Sequence, residues 1–269
     1  MKLIILLLIL SLSQVLASDK LVFGAISPVS PELMKKKLSP IMSYLEEATG
    51  KKIEFQTGYD YTDTINKFAD GTFDIGYIGP APYVTAKKIN PKSVHIIAGL
   101  VNAENKPFQS VIISKKGSKI TTLDDIKNRR FAFGSPQSTL SYFVPMEMLM
   151  KANVIKKVER YDFLGRHDKV AQYIIMGKYD VGAVKKSVAD KYSKYVQVVA
   201  SSKKLADFVM IANSSVEHKV VEKIKHALLN LKDTKILKSL KDSAIGFEER
   251  KDSDYNDLRL IIESVQKYK

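Results

Sequence analysis

The residues best suited to chemistry lie in one short stretch, Gln137-Ser138-Thr139-Leu140-Ser141, after an expected strand at residues 131–133 and a loop carrying Gly134 and Pro136. Backbone N–H groups at the start of a helix have no partner within it and carry partial positive charge, so they accept an oxyanion readily. Ser138, Thr139 and Ser141 add hydroxyl donors there without adding a counter-charge. A single hydroxyl at such a place is an ordinary helix cap. Three in four positions exceed what capping needs, so an anion pocket is the favoured reading of the stretch. Pro145 has no N–H and suits the first turn of the following helix better than its middle.

A second strand-to-helix turn, Tyr77-Ile-Gly-Pro-Ala-Pro-Tyr83, has the same character. Gly79 lets a backbone approach a ligand closely. Pro80 fits the first helical position, and the helix behind it would aim its N-terminus at the same cleft. Tyr61, in the Gly58-Tyr-Asp-Tyr61 loop, and Tyr83 are candidate phenolic donors, with half-buried packing as the alternative for each.

Other chemistry is thin. There is no G-x-S-x-G elbow, H-E-x-x-H helix, P-loop or G-x-G-x-x-G fingerprint. His95, His167, His218 and His226 lack metal-ligand spacing, and His218 and His226, two turns apart on one helix, read as a solvated face. Asp124-Asp125 reads as a helix-start pair rather than a catalytic dyad. The absence of cysteine excludes a disulfide framework, a thiolate metal site, a cysteine nucleophile and an acylated N-terminal cysteine. No metal, no cofactor and no enzymatic activity are expected. An exported hydrolase or transferase using His167 as a base is the alternative from another class.

The balance of 45% apolar and 27% charged residues is that of a folded protein, and 269 residues allow one large domain or two lobes. The N-terminus carries Lys2, an apolar run from Leu3 to Leu12 broken by Ser11, and Val15-Leu16-Ala17, which presents small residues to a signal peptidase. The run is short of the roughly 20 residues that span a bilayer, so a cleaved leader (residues 1–17) is expected over an anchor, and the periplasm over the cytoplasm. Export argues against a nucleic-acid partner despite the formal charge of +14. Lysine runs such as Lys35-Lys36-Lys37 read as solvated helix faces, within a field that favours an anionic ligand.

Strands and helices alternate, predicting an α/β protein with largely parallel sheets. Strands are expected at residues 20–25, 53–56, 75–78, 95–101, 109–114, 131–133 and 208–212, and helices around Met34–Leu45, Asp63–Gly71, Val216–Leu231 and Asp252–Tyr268. Thr122 to Asp125 reads as a helix start. Gly71-Thr-Phe-Asp-Ile-Gly76 and Gly177-Lys-Tyr-Asp-Val-Gly182 repeat one pattern, each after a helix and into a strand. The glycine that opens each can take the left-handed conformation that ends a helix. The echo predicts two lobes of similar build with a cleft between them.

Three stretches carry a resemblance to a known family: Asp74 to Val84, Phe131 to Pro145, and Gly177 to Ala183 with His167 ahead of it. The chain resembles the periplasmic phosphonate/phosphite/phosphate-type solute-binding proteins of ABC importers. The resemblance implies a two-lobed fold of the type II periplasmic-binding-protein kind, with two mixed sheets flanked by helices. It implies a first lobe of residues 18–107 and 205–269 and a second of residues 108–204. Lobe closure on a small oxyanion and delivery to an inner-membrane permease follow, with a monomer expected. A ligand sensor for a membrane kinase is the alternative. The family's Ser-Thr-Ser-Gly turn matches residues 138–141, its ligand-contacting Tyr looks like Tyr61, and its His looks like His167. An imidazole facing the anion would be protonated on binding, tightening affinity from pH 8 to 6. Leu140 departs from the second Ser of the turn, and Phe108 stands where many relatives have Tyr; each removes a hydroxyl, and Ser141, one position on, is the expected replacement for one of them.

Overall fold

The computed structural model describes residues 20–26 and 30–268. The expected leader lies outside the described residues. The chain begins β1 (Lys20–Ala25), α1 (Pro31–Thr49), β2 (Lys52–Gln56), α2 (Tyr61–Ala69), β3 (Ile75–Ile78), α3 (Pro80–Ile89) and β4 (Val94–Asn102). It crosses to β5 (Ser110–Lys115), β6 (Arg130–Phe133), α4 (Val144–Lys151), β7 (Arg160–Phe163), α5 (His167–Ile175), β8 (Val181–Lys185), α6 (Lys186–Lys191) and β9 (Val196–Ser201). It returns through β10 (Val209–Asn213), α7 (His218–Asn230), α8 (Thr234–Leu240), β11 (Ala244–Glu248) and α9 (Asn256–Lys267).

These strands form a six-stranded sheet, β11-β4-β10-β3-β1-β2, and a five-stranded sheet, β7-β6-β8-β5-β9. Both are mixed rather than largely parallel. β1 to β3 run parallel, as do β6 to β8, whereas β10 opposes β3 and β4, and β5 opposes β8 and β9. The reason is the crossing itself. β4 runs out of the first sheet at one edge and β5 starts at the facing edge, so β5 must run away from the junction while β6 and β8 run toward it. The C-terminal ends of β1, β2, β3, β6, β7 and β8 therefore converge on the gap between the sheets, where α/β folds place their ligands.

α1, with Met34, Leu38, Ile41 and Leu45 at helical spacing, packs with α7 and α8 on one face of the first sheet. Val170 and Ile174 of α5 cover one face of the second. A third apolar cluster runs from Phe68, Phe73 and Tyr83 through Leu258 and Ile262 of α9 to Leu149 and Phe131, so α9 packs on elements of both lobes.

The repeated hexapeptides occupy equivalent places. Gly71 and Gly177 are both left-handed, with φ of 85° and 72°. The Asp74 carboxylate accepts from Val22 N–H at 2.7 Å, tying the start of β3 to β1. Asp180 accepts from Arg130 N–H at 2.9 Å and pairs with its guanidinium at 2.8 and 3.0 Å, tying β8 to β6. The closing glycines admit the preceding helix: a Cβ at Gly76 would overlap the Phe68 ring, and one at Gly182 would lie 2.6 Å from Val170 Cγ1. The echo is thus a device for docking helix and strand.

Two local expectations change. Thr122 to Asp125 yields only a 3₁₀ turn over Asp124–Ile126, because Asn128 takes a positive φ of 57° and turns the chain into β6. Strands β7, β9 and β11 and helices α6 and α8 carry too little periodic apolar pattern to stand out in the sequence.

Removing the Asp180 carboxylate orphans both a backbone N–H and a guanidinium. Asp180→Ala should cost about 1.5–3 kcal/mol in urea unfolding; an unchanged midpoint would show that the strand tie carries no stability.

Candidate functional site

The second lobe's share of the gap is built around a backbone irregularity. Residues Thr139–Phe143 form a π-turn ahead of α4, in which Phe143 N–H donates to the Ser138 carbonyl at 3.1 Å and Val144 N–H to that of Thr139. The next donor in register would be residue 145, and Pro145 has none. The carbonyls it leaves unserved find other partners. Ser110 Oγ, at the start of β5, donates to the Leu140 carbonyl at 2.7 Å, and Gly134 N–H, at the end of β6, donates to that of Ser141 at 3.2 Å. A π-turn costs helix regularity and recurs at functional sites.

The hydroxyls of the turn are oriented by what they accept. Ser138 Oγ accepts from Ser141 N–H at 3.2 Å, so Ser138 does cap the turn. Thr139 Oγ1 accepts from Ala81 N–H of α3 at 2.9 Å, a bond that joins the two lobes. In each case the lone pair faces a backbone donor and the O–H proton remains to be given. Ser141, 1% exposed, has an Oγ with no partner among the described residues, seated where a Cβ on Gly134 would lie. Ser141 N–H is already taken by Ser138, while the N–H groups of the first two turn residues, Thr139 and Leu140, have no acceptor within the turn. The arrangement is rich in donors and poor in acceptors, which suits an oxyanion.

The first lobe contributes differently than the sequence suggests. Gly79 and Pro80 are buried at the start of α3, and a Cβ on Gly79 would meet the Phe208 ring at 3.2 Å, so the glycine makes room for an aromatic side chain. Because positions 80 and 82 are both proline, Ala81 supplies the N–H of that helix start, and Thr139 takes it. Tyr83 is turned from the cleft. Its ring packs edge-on against Tyr255 at 5.4 Å and its hydroxyl donates to Asp252, 169 residues away. The candidate donor role for Tyr83 therefore gives way to its packing alternative. Tyr61 opens α2 on the cleft side of β2, and its hydroxyl has no hydrogen-bond partner among the described residues. Desolvation raises its pKa, so the phenol keeps its proton.

Phe108 is 7% exposed and lies in the first crossing segment, edge-on to Phe208 of the second at 5.9 Å. Lys241 Nζ sits 5.0 Å from the Phe108 ring centroid. Beside them Asp207, 3% exposed, accepts from Lys241, the Asn102 amide and Phe208 N–H, and the Asp207 carbonyl accepts from Tyr255 Oη at 2.9 Å. Sequence reasoning missed Ser110, Asp207 and Lys185. Position alone could have marked Lys185, since it ends the strand opened by the second hexapeptide.

His167 is the first residue of α5, and its Nδ1 accepts from Lys185 N–H at 3.0 Å. Desolvation, and then the charge of Lys185, lower its pKa to about 3. The expectation of a protonated imidazole is thereby corrected: a ring nitrogen that accepts a backbone N–H cannot carry a proton, and the neutral tautomer holds its hydrogen on Nε2 as a donor.

Two lobes, a donor-rich turn at their junction and strand ends converging on it define a two-lobed binding protein for a small anionic solute. A family model described as ABC transporter, phosphonate, periplasmic substrate-binding protein matches residues 23–255, and the chain belongs to that family of solute-binding proteins. A phosphate-import protein of Mycolicibacterium smegmatis is 26% identical over 225 residues, 77% of this chain and 70% of that one. An ABC transporter phosphite-binding protein of Prochlorococcus marinus is 24% identical over 228 residues, 77% and 76% of the two chains. A Prochlorococcus marinus protein solved in complex with methylphosphonate shares the fold, with a TM-score of 0.80 at 24% identity over 93% of this chain and 99% of that one. This chain is thus a periplasmic substrate-binding component of an ABC transporter.

In the ligand-free protein the His167 ring should show no titration between pH 8 and 5 by NMR. Its stabilising contribution is full above the ordinary imidazole pKa of 6.5 and is lost as pH falls toward 3, because the unfolded chain binds the proton first. A ring titrating near 6.5 would contradict the hydrogen bond to Lys185.

Proposed function

We propose that the protein captures a phosphorus oxyanion (phosphonate, phosphite or phosphate) between its lobes and presents it to an inner-membrane permease. The observation that carries this reading is the turn at Ser138–Ser141, whose hydroxyls are held by backbone donors with their own protons left over, beside an unpartnered Ser141 Oγ. Tyr61 and the Nε2–H of neutral His167 would add donors from either side. Leu140 and Phe108 bring no hydroxyl, and Ser141 takes the place of one of the two that are missing.

Closure would pivot on residues 103–109 and 202–208, the segments between β4 and β5 and between β9 and β10. Their mutual bonds, such as Leu205 N–H to the Phe108 carbonyl at 3.0 Å, support the division into lobes of residues 18–107 with 205–269 and residues 108–204. The Thr139–Ala81 bond supports closure at the turn itself. The reading includes a cleaved leader of residues 1–17, a monomer, and binding without a covalent step. The permease would recognise the closed form.

Calorimetric titration with methylphosphonate, phosphite, phosphate, sulfate and a carboxylate tests the proposal. A phosphorus oxyanion should bind and raise the melting temperature, by an increment equivalent to about 2.7 kcal/mol at 100 times the dissociation constant. Thr139→Val and Ser138→Ala should each weaken it about 10- to 150-fold, with Ser138→Ala also losing about 1 kcal/mol of stability as a cap. No response to any phosphorus oxyanion would sink the reading, and unchanged affinities in both variants would move the site elsewhere.

A further inference from the structure

Lys185 is a cation with no ion-pair partner among the described residues, at the end of β8 that faces the gap. It ends β8 opposite Ser110, and the parallel register of Ala132 with Gly182 sets it level with Ser135 at the start of the anion turn. Its own N–H holds His167 Nδ1. Its ammonium makes no ion pair with any described residue, and the charges it feels are Lys241, Lys37 and Asp207 of the first lobe and Asp168 of the second. Both of those carboxylates are engaged elsewhere. Asp207 is held by Lys241, the Asn102 amide and Phe208 N–H. Asp168 pairs with Lys191 at 2.7 Å and accepts from Tyr192 Oη at 3.3 Å.

The oxyanion seat and this cation are therefore separate features of one cleft. Neutral donors at the turn suit the phosphorus oxygens, and His167 adds no charge. A ligand whose second substituent is a carboxylate would meet Lys185 and relieve an uncompensated charge. A ligand whose second substituent is an ammonium would meet the same lysine and would find the carboxylates Asp207 and Asp168 already paired. Like charges brought together in a partly desolvated gap repel far more than in water.

We propose that Lys185 determines ligand specificity by receiving a second anionic group, so that the protein selects phosphonates carrying an additional negative charge, such as phosphonocarboxylates, over aminophosphonates. The inference rests on the proposed oxyanion site and goes further by naming which members of that class are preferred.

The test is calorimetric titration of wild type, Lys185→Gln and Lys185→Arg with methylphosphonate, phosphonoacetate and 2-aminoethylphosphonate. Wild type should bind phosphonoacetate about 10- to 100-fold tighter than 2-aminoethylphosphonate. Lys185→Gln should remove most of that ratio while changing methylphosphonate affinity much less, and Lys185→Arg should restore it. Unchanged melting temperatures for both variants confirm folding, since Lys185 is an exposed side chain. If methylphosphonate binds but the ratio in wild type is near one, or survives in Lys185→Gln, the specificity role is overturned and the oxyanion site stands. If no phosphonate binds, the specificity role is overturned, and the oxyanion site is decided by the phosphate and phosphite titrations.

Discussion

Because Pro145 has no N–H, the turn at Thr139–Phe143 has no donor at position 145 for the carbonyl of Leu140, in the π register, or of Ser141, in the α register. The carbonyls of Leu140 and Ser141 must be served from outside it, and Ser110 and Gly134 do so. That replacement fixes the turn to the ends of β5 and β6 at once, at the edge of the sheet that faces the other lobe. The wide π register then separates the turn's hydroxyls from ordinary capping. Ser138 alone serves as a cap, Thr139 reaches the opposite lobe, and the buried Ser141 Oγ has no partner among the described residues. A buried hydroxyl without a partner costs about 1–3 kcal/mol, a cost that an oxyanion bound at the proposed site would remove.

The electrostatics around the turn follow one rule: donors without charge at the proposed seat, and charge set around it. His167 is neutral because its Nδ1 is committed to Lys185 N–H. Tyr61 is kept as a phenol by desolvation. The one deeply buried carboxylate among the described residues, Asp207, is paired with Lys241 and bonded to both the Asn102 amide and Phe208 N–H, so it ties the second crossing segment to the end of β4. Phe108 and Phe208 pack edge to face across the two crossing segments. The proposed hinge and the proposed site thus lie at one junction, where the chain crosses between the two sheets.

Much of this was legible in the sequence where the signal was local. The strand-turn-helix stretch around Ser138, the paired hexapeptides and the apolar stripe of α1 each announce themselves within a dozen residues, and the structure places all three as structural joints. What was not legible depends on partners far away in the chain. Tyr83 looks like a ligand donor until Asp252 and Tyr255 arrive from the C-terminal segment. His167 looks like a titrating group until β8 presents Lys185 N–H. Gly79 looks like an open approach until Phe208 fills it. Strands β7 and β11 were hidden because they are edge strands with mixed faces, Arg-Tyr-Asp-Phe and Ala-Ile-Gly-Phe-Glu, whose pattern follows from their neighbours rather than from their own residues.

The central claim is that the π-turn at Thr139–Phe143 is the seat of the oxyanion, and a crystal structure of the protein grown with methylphosphonate tests it most directly. The account requires the phosphonate oxygens to lie about 3 Å from the hydroxyls of Ser138 and Thr139 and from the first N–H groups of the turn, with the π register kept. A phosphonate bound away from residues 138–141, or a turn that relaxes to a regular α-helix around it, would contradict the account.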